Sequence, residues 1–421
     1  MKENISHGNA LPAVASGTES LIQQAFERNR TRRVIVNSSF LDDERLPDPE
    51  RVAVLREVFH RNIRLRQLER LAQCLSPVTG GQQPPNLLVY GPSGTGKSVT
   101  CLHFLSALEN MCARNGVPFR YFYVDLTTPR TCFGALNELA IALDPKARRY
   151  RKGIPLECMQ EMIISSLGRL AGFSCVLVDE ADNVTKDPDL FLTFLAKTLP
   201  KKVPVRLCYV FLTNRLEWER SLDPRILAVL KKQDMIFEPY DAMDLVEILK
   251  LRVEKALDAA KVDESAVRKI AAYASRETGD ARKAVELLAK AAKVAEEETG
   301  RLTVEVVDVA QNRLETDKTQ ELIHSLPVQQ RLALQACYLG LTKGRKRLST
   351  GAAFEVYRTL SEKERLRPLT QRRFSDMVSF LDLYGLVNAQ VTSKGRYGKT
   401  REISGSVPES AVAAMLQAEQ P

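Results

Sequence analysis

Short apolar runs alternate with longer stretches of helical periodicity through the first half of the chain. Strand-like runs occupy residues 86–90, 119–124, 175–180, 205–212 and 235–237, and residues 133–143 between two of them carry a helical pattern. Strands separated by helices predict an α/β fold with a parallel sheet and helices on both faces, because parallel neighbours need a long crossover. Ligands of such sheets bind beyond the carboxyl ends of the strands.

The second half of the chain has a different pattern. Four helical stretches follow one another at about 244–258, 263–276, 280–297 and 303–315, which predicts a small helical domain. A third block, 317–405, contains helices followed by a pair of strands. An amphipathic segment over 49–75 precedes the first strand of the sheet.

A glycine-rich turn joins the first predicted strand to a helical stretch. Residues 91–98 match the phosphate-binding pattern G-x-x-x-x-G-K-[ST] at every defined position, and we call them the P-loop. The chemistry predicts a nucleotide site made by Gly91, Pro92, Ser93, Gly94, Thr95, Gly96, Lys97, Ser98 and Val99. Glycines let backbone N–H groups converge on phosphate oxygens, Lys97 reaches the β- and γ-phosphates, and Ser98 ligates Mg²⁺. The alternative is a glycine-rich turn that happens to precede a helix.

Polar residues end the third and fourth strands of the predicted sheet. Asp179 and Glu180 end an apolar strand, where Asp179 would hold Mg²⁺ and Glu180 would polarise the attacking water. Asn214 ends the following strand, where its amide could orient the same water. The alternatives are a surface turn with two acids and the ordinary turn chemistry of Asn.

Three arginines lie where a phosphate site could be completed. Arg225 begins a short helix after Asp223-Pro224, Arg252 lies on the first helix of the small domain, and Arg282 follows Asp280, a predicted N-cap. An arginine supplied across an interface can accelerate phosphoryl transfer by about 10³–10⁵. Each could instead form an ordinary helical ion pair.

The distribution of charge points to a polyanionic partner. The chain has 421 residues and a net charge of +9, and residues 317–405 contain 16 Lys and Arg against 8 Asp and Glu, a local charge of +8. A basic module attached to a nearly neutral nucleotide-binding domain favours nucleic acid, with a solvated basic surface as the alternative. The eight cysteines contain no C-x-x-C pair, and we expect reduced thiols, no zinc site, no signal peptide or membrane span, and a cytoplasmic location.

The third block predicts a helix-turn-helix followed by a wing. Thr370 is a predicted N-cap for a helix whose apolar stripe faces inward and which ends at Gly385. The DNA-binding residues predicted on this helix are Gln371, Arg372, Arg373 and Ser375, and those predicted on the hairpin tip are Lys394, Arg396, Tyr397 and Lys399. Winged helices also bind proteins, which is the alternative. A second DNA contact is predicted at Arg148, Arg149 and Arg151 in the insertion between the second and third strands, where the alternative is a solvated charged loop.

The order of these motifs resembles one family. The P-loop, Asp179-Glu180, Thr213-Asn214, Asp223-Pro224-Arg225, Pro239-Tyr240 and Gly279-Asp280-Ala281-Arg282 together resemble the AAA+ ATPases of the archaeal origin-recognition and replication-initiator family. The resemblance covers most of the chain. It implies the following division: 1–33, a flexible basic arm; 34–240, the AAA+ base domain; 241–316, a helical lid; 317–405, a winged-helix DNA-binding domain; and 406–421, a tail.

The resemblance also implies roles for individual residues. Lys97 and Ser98 correspond to the Walker A motif, Asp179 and Glu180 to Walker B, and Asn214 to sensor 1. Arg225 corresponds to the arginine finger and Arg282 to sensor 2. Tyr240, Arg252 and Arg61 correspond to further nucleotide contacts, Arg61 on the adenine side. Asn62, where the family has an acid, is a departure from the pattern.

These features together predict an ATP-dependent replication initiator with Mg²⁺ and ATP or ADP as cofactors. The resemblance implies that it binds duplex origin DNA, recruits the replicative minichromosome-maintenance helicase, acts with other initiator subunits and hydrolyses ATP slowly as a switch. One alternative is a protein-remodelling or clamp-loading AAA+ ATPase, which gives no reason for a basic winged helix. The other is an ATP-sensing transcription regulator, which would bind promoters.

Overall fold

The computed structural model of the chain describes residues 31–41, 57, 61, 63–150, 154–230, 232–341, 347–393 and 399–407. Tertiary contacts divide the chain into two units, Met1–Val307 and Asp308–Pro421. Each unit is described by itself below.

A five-stranded parallel sheet forms the centre of the first unit. Its strands are β1 (Asn86–Tyr90), β2 (Phe119–Asp125), β3 (Phe173–Asp179), β4 (Arg206–Thr213) and β5 (Lys232–Ile236), in the order β2-β3-β4-β1-β5. The helices around it are α1 (Leu65–Leu75), α2 (Lys97–Arg114), α3 (Cys132–Leu143), α4 (Leu156–Gly168), α5 (Pro188–Thr193), α6 (Leu199–Lys202) and α7 (Pro224–Leu230). The predicted α/β fold class is confirmed.

Two hydrophobic cores lie on opposite faces of this sheet, because successive side chains of a strand point to opposite sides. On β3, which is buried along its whole length, Val176 and Val178 belong to one core, and Cys175 and Leu177 belong to the other. Burial on both faces explains why this strand is a continuous apolar run rather than an alternating one.

The strand order places three polar segments at one edge of the sheet. β1 pairs with β4, and β4 pairs with β3, so the carboxyl ends of these neighbours adjoin. The P-loop follows β1, Glu180 follows β3, and Asn214 follows β4. The sheet therefore brings together residues that are distant in sequence.

Helices complete the first unit. They are α8 (Ala242–Ala256), α9 (Glu264–Glu277), α10 (Ala281–Glu298) and the start of α11 (Val304–Ser325), which runs through the division between the units. Asp241 caps α8 by accepting from the Asp244 N–H at 2.7 Å, and Asp280 caps α10 by accepting from the Arg282 N–H at 2.8 Å. The cap predicted at Asp280 is thus present, and we call helices α8–α10 the lid helices.

The first described residues pack against the lid helices. The N–H groups of Val34 and Ile35 both donate to one carboxylate oxygen of Glu296, at 2.8 and 2.7 Å. Ile35 also forms an antiparallel bridge with Leu257, and Val34 is fully buried. Residues 34–41, predicted to begin the base domain, contact the lid helices, where their backbone finds hydrogen-bond partners.

The second unit combines three helices with a small antiparallel sheet. The helices are α12 (Val328–Leu341), α13 (Thr350–Lys363) and α14 (Gln371–Leu383), and the strands are β6 (Leu348–Ser349), β7 (Val387–Ser393) and β8 (Lys399–Gly405), in the order β6-β8-β7. Helix, turn, helix and hairpin follow as predicted, and the two-residue β6 is an addition. Within the described ranges no helix is long and apolar enough to cross a membrane.

Candidate functional site

The P-loop takes its shape from glycines in the left-handed region. Gly94 and Gly96 have φ of 70° and 79°. A Cβ on Gly94 would lie 1.6 Å from Oδ1 of Asp280, one on Gly96 would lie 2.2 Å from the Tyr240 hydroxyl, and one on Gly91 would lie 2.4 Å from the Phe237 carbonyl oxygen. Glycine is therefore required at all three positions by close approach and, at two of them, also by backbone conformation.

The backbone N–H groups of this loop are available to an anion. None of those from Ser93 to Val99 donates to a protein acceptor within the described part of the chain, whereas the Thr100 N–H bonds the Gly96 carbonyl at 3.0 Å. The loop ends at the N-terminus of α2, where the helix dipole adds positive potential. This arrangement of donors suits a phosphate group.

Lys97 is buried against the loop. Its ammonium donates to the carbonyls of Gly91 and Pro92 at 2.7 and 2.8 Å and to Oδ1 of Asn214 at 2.8 Å. Burial lowers the pKa of Lys97 to about 8, although the negative charge of Asp179 opposes the shift. The contact joins the ends of β1 and β4, which places the predicted sensor residue Asn214 beside the Walker A lysine.

The two acids after β3 are held in defined positions. Asp179 is 8% exposed, and its carboxylate accepts from the Tyr123 hydroxyl at 3.1 Å and from the Glu180 N–H at 3.0 Å. Glu180 has φ of 52°, an uncommon conformation for a non-glycine residue, and its carboxylate accepts from the amide of Asn183. Strained backbone of this kind clusters at functional sites.

The lid helices contact the P-loop directly. The Ala281 N–H donates to the Gly94 carbonyl at 3.1 Å, and the Arg282 guanidinium donates to the Ser93 hydroxyl at 3.2 Å. The positive charge of Arg282 contributes to lowering the pKa of Lys97, so the two cations are close enough to repel each other. Arg282 therefore lies beside the P-loop, and its role as sensor 2 stays a prediction.

Three other predicted residues have different surroundings. Arg61 donates to Glu247 at 3.0 Å and to both carboxylate oxygens of Glu254 at 2.9 Å, so its recorded partners lie on α8. Arg252 is buried and donates to the Phe40 carbonyl at 3.0 Å. Arg225 is exposed, and within the described ranges its guanidinium pairs with no acid.

A fourth arginine, which the sequence analysis missed, does contact the P-loop. The Arg64 guanidinium is buried and donates to the Thr95 carbonyl at 3.0 Å and to the Glu238 carbonyl at 2.6 Å. It lies over the Tyr240 ring, 3.9 Å from the centroid. The amphipathic pattern of this segment predicts a helix and gives no functional role to Arg64. Its position beside the P-loop is visible only in the tertiary contacts.

The donor set fits Mg²⁺ and a nucleotide. The Ser98 hydroxyl begins α2, the Asp179 carboxylate ends β3, and hard oxygen ligands of this type suit Mg²⁺. The row of N–H donors and the buried Lys97 ammonium suit a polyphosphate. Ser98 and Asp179 are the residues that would hold the metal.

The second unit presents a cationic helix start. Thr370 caps α14, as predicted, by accepting from the Arg373 N–H at 3.4 Å. Gln371, Arg372 and Arg373 are exposed, whereas Ser375 is half-buried and its carbonyl accepts from Arg401. Within the described ranges neither Arg372 nor Arg373 pairs with an acid.

The turn before α14 adds cations that the sequence analysis did not single out. Arg365, with φ of 57°, and Arg367 are exposed in this turn. Arg401 on β8 donates to the Ser379 hydroxyl, which connects the wing to the outer face of α14.

Several predicted DNA contacts lie outside the described residues. These are Arg151 in the insertion and Lys394, Arg396 and Tyr397 at the hairpin tip. Arg149 lies in the 3₁₀ helix Pro145–Tyr150, and Lys399 is the first residue of β8. Arg148 is exposed at the 3₁₀ helix Pro145–Tyr150.

Three family models match successive parts of the chain. They are an AAA ATPase domain over 63–210, a Cdc6 AAA+ ATPase-type lid domain over 246–312 and a CDC6 C-terminal winged helix domain over 321–415. An ORC1-type DNA replication protein of Pyrococcus abyssi is 33% identical over 395 residues, which cover 93% of this chain and 92% of that protein. The chain belongs to the ORC1-type DNA replication protein family. This confirms the predicted family and its AAA+ ATPase, lid and winged-helix architecture.

Solved structures of the family agree with this assignment. The Aeropyrum pernix ORC1 protein in complex with DNA is 30% identical, has a TM-score of 0.67, and the match covers 92% of this chain and 97% of that structure. Cdc6p from Pyrobaculum aerophilum, at 20% identity and a TM-score of 0.52, shares the fold, with 92% of this chain and all of that structure covered.

Proposed function

We propose that this protein is an ATP-dependent replication initiator that binds duplex origin DNA. One observation carries the proposal: a P-loop site, contacted by lid helices, occurs in the same chain as a winged helix whose recognition helix carries cations that pair with no acid in the described part of the chain. The family relationship over 93% of the chain supports the same reading. A protein-remodelling ATPase has no need for the second of these features.

In the base domain, the loop N–H groups and Lys97 bind the phosphates, and Ser98 and Asp179 hold Mg²⁺. The metal, when bound, supplies charge that screens the β- and γ-phosphate oxygens. Glu180 polarises the attacking water, and its hydrogen bond from Asn183 holds the carboxylate in one orientation. Asn214, already bonded to Lys97, is placed to orient that water.

The lid and a neighbouring molecule complete the site. Arg282, bonded to Ser93, lies where it can contact a terminal phosphate when the lid closes. Arg225 is exposed and has no acid partner in the described ranges, which favours action on the nucleotide of another subunit rather than of its own. We propose that Tyr240 belongs to the same nucleotide site between base and lid. For Arg61 and Arg252 we propose an indirect role, in which they hold α8 and the N-terminal segment in position.

DNA binding is proposed for the cations of the second unit and of the insertion. At the recognition helix these are Gln371, Arg372, Arg373 and Ser375; at the wing, Lys394, Arg396, Tyr397 and Lys399; and in the insertion, Arg148, Arg149 and Arg151. Phosphate contacts of this kind position a protein on the duplex and make binding dependent on salt. Bound at an origin, the protein would recruit the minichromosome-maintenance helicase with other initiator subunits, and slow hydrolysis would end that state.

Mapping of bound DNA across the chromosome tests the proposal. We expect enrichment at replication start sites, and we expect the variant Arg372→Ala to lose that enrichment while its ATP affinity stays unchanged. Arg313→Ala provides a matched control, because Arg313 is also on a helix but lies outside the winged helix. Enrichment confined to promoters would favour a transcription regulator and would contradict the initiator proposal.

A further inference from the structure

Arg64 has an unusual position for an arginine. It immediately precedes α1 with φ of 62°, in the left-handed region, and its side chain does not cap the helix. Its side chain points inward, and the residue is only 8% exposed. A non-glycine residue held in this backbone region is uncommon, and the surrounding structure must hold it there.

The guanidinium joins two segments that are distant in sequence. One nitrogen, Nη2, donates both to the Thr95 carbonyl in the P-loop and to the Glu238 carbonyl. Glu238 lies in the segment between β5 and α8, and we call its residues Glu238–Tyr240 the hinge. The hydrogen bond from Arg64 holds the Thr95 carbonyl oxygen away from the side of the loop where a phosphate would bind. The loop N–H groups are then left facing the anion.

The same side chain packs against the aromatic residues that support the loop glycines. It stacks 3.9 Å from the centroid of Tyr240 and lies 5.5 Å from that of Phe237. The Tyr240 hydroxyl approaches Gly96, and the Phe237 carbonyl approaches Gly91. Arg64 thus contacts both residues that fix the close approaches at the beginning and end of the loop.

The charge of Arg64 has no carboxylate partner within the described ranges. Its Nε is buried and makes no hydrogen bond. Burial raises the pKa of Asp244, and the positive charge of Arg64 opposes that shift, so a carboxylate is near but does not pair with it. A buried cation that is hydrogen-bonded to carbonyls and not to a carboxylate is costly, and a bound anion nearby would offset this cost.

We propose that Arg64 is a positioning residue that holds the P-loop in its phosphate-binding shape and couples that shape to the hinge of the lid. The inference rests on the proposed ATP site. Nucleotide binding at the loop then favours one position of the Glu238–Tyr240 hinge, and the hinge in turn favours one conformation of the loop. This coupling is reciprocal, as linkage requires.

The test compares Arg64→Met, which removes the charge and the hydrogen bonds, with Arg64→Lys, which retains the charge. We expect Arg64→Met to raise the Kd for both ATP and ADP by about tenfold or more, the effect of losing a charge-assisted hydrogen bond. Arg64→Lys should recover part of that loss. Arg66→Met is the matched control, because Arg66 is exposed on the same helix, and its Kd should equal that of the unaltered protein.

A double-mutant cycle with Tyr240→Leu separates positioning from a purely structural role. If Arg64 acts through the Tyr240 ring, the effects of the two substitutions on Kd are non-additive. A lower Tm for Arg64→Met with an unchanged Kd would overturn the inference, and additive effects would overturn the coupling through Tyr240. If Arg64→Met does not fold, Arg64→Lys provides the same comparison.

Lys97→Ala distinguishes this inference from the proposed function. Loss of nucleotide binding in Lys97→Ala together with normal binding in Arg64→Met and Arg64→Lys would leave the ATP site standing and reject the role of Arg64. Absence of nucleotide binding by the unaltered protein would reject both.

Discussion

Gly94 and Asp280 meet where the lid helices contact the P-loop. The absent side chain of Gly94 leaves the space that the Asp280 carboxylate occupies, and the Ala281 N–H bonds the Gly94 carbonyl at 3.1 Å. Asp280 also caps α10. One carboxylate therefore both begins a lid helix and sets the distance between that helix and the nucleotide loop.

The substitution Gly94→Ala tests this contact. The new methyl group would overlap Asp280 and displace the lid from the loop, so we expect the Kd for ATP to rise about tenfold for each 1.4 kcal/mol of docking energy lost. Nucleotide titration of the variant measures the effect.

Gly81→Ala is the matched control. Gly81 has nearly the same backbone conformation, φ 72°, but no atom lies within 4 Å of the position that its Cβ would take. This variant should lose roughly 1–2 kcal/mol of stability from the left-handed conformation alone and retain its nucleotide affinity. Equal affinities for the two variants would contradict the role of the Gly94–Asp280 contact.

At the scale of elements, the lid is built from two separate parts of the chain. Residues 34–41 lie on α8 and α10, where Val36 and Asn37 donate to the Ala256 carbonyl and Asp258 donates to the Val34 carbonyl. Glu296 provides an acceptor for two successive N–H groups of the segment. The segment is thus attached to the lid before the chain enters the base domain.

Glu296→Ala should loosen this attachment. Removing one charged acceptor of two backbone donors is expected to cost about 2 kcal/mol, which corresponds to a fall in Tm of roughly 3 °C for the unit Met1–Val307. Thermal unfolding measures the change. Glu296→Gln keeps a neutral acceptor and should lose less, while Lys293→Gln, at an exposed position of the same helix, should melt like the unaltered protein.

A Tm that is unchanged in Glu296→Ala would show that residues 34–41 contribute nothing to the lid. Such a result would be independent of the result for Gly94→Ala.

At the scale of the whole molecule, the proposed function links a nucleotide site in one unit to a DNA-binding helix in the other. Base and lid lie within Met1–Val307, and the winged helix lies within Asp308–Pro421. The P-loop and the lid contacts described above lie in the first unit. A switch of the whole molecule therefore requires that the bound nucleotide change how the chain engages DNA.

The variant Glu180→Gln is expected to keep the protein in its ATP-bound state. The amide keeps the hydrogen-bonding shape but cannot act as a base, so we expect hydrolysis to fall about 10²- to 10⁴-fold while ATP affinity is retained. The variant should stay on DNA in ATP under conditions in which the unaltered protein is released. Single-turnover hydrolysis and DNA dissociation rates measure the two effects.

Glu161→Gln is the control, because Glu161 is an exposed acid on α4 away from the P-loop edge of the sheet. Continued turnover in Glu180→Gln would reject the Walker B role. Blocked turnover with unchanged release from DNA would reject the switch.

The sequence by itself determined the elements and much of the chemistry. A buried parallel strand must be apolar along its length, so the sequence predicts β3 as an apolar run that ends in the acids Asp179 and Glu180. The P-loop was visible because only glycines tolerate its conformation, and Thr370 was visible because a helix start needs a cap. These signals are local, and each depends on residues within a few positions of one another.

Tertiary structure decided which distant residues meet. Arg61, Arg64 and Arg252 look alike in the sequence, yet Arg61 pairs with glutamates of α8, Arg252 bonds the Phe40 carbonyl, and Arg64 contacts the P-loop. An arginine can reach a carboxylate, a carbonyl or an aromatic ring, and its partner depends on packing between segments up to some two hundred residues apart. The fold makes that choice, because burial leaves each cation only the acceptors that surround it.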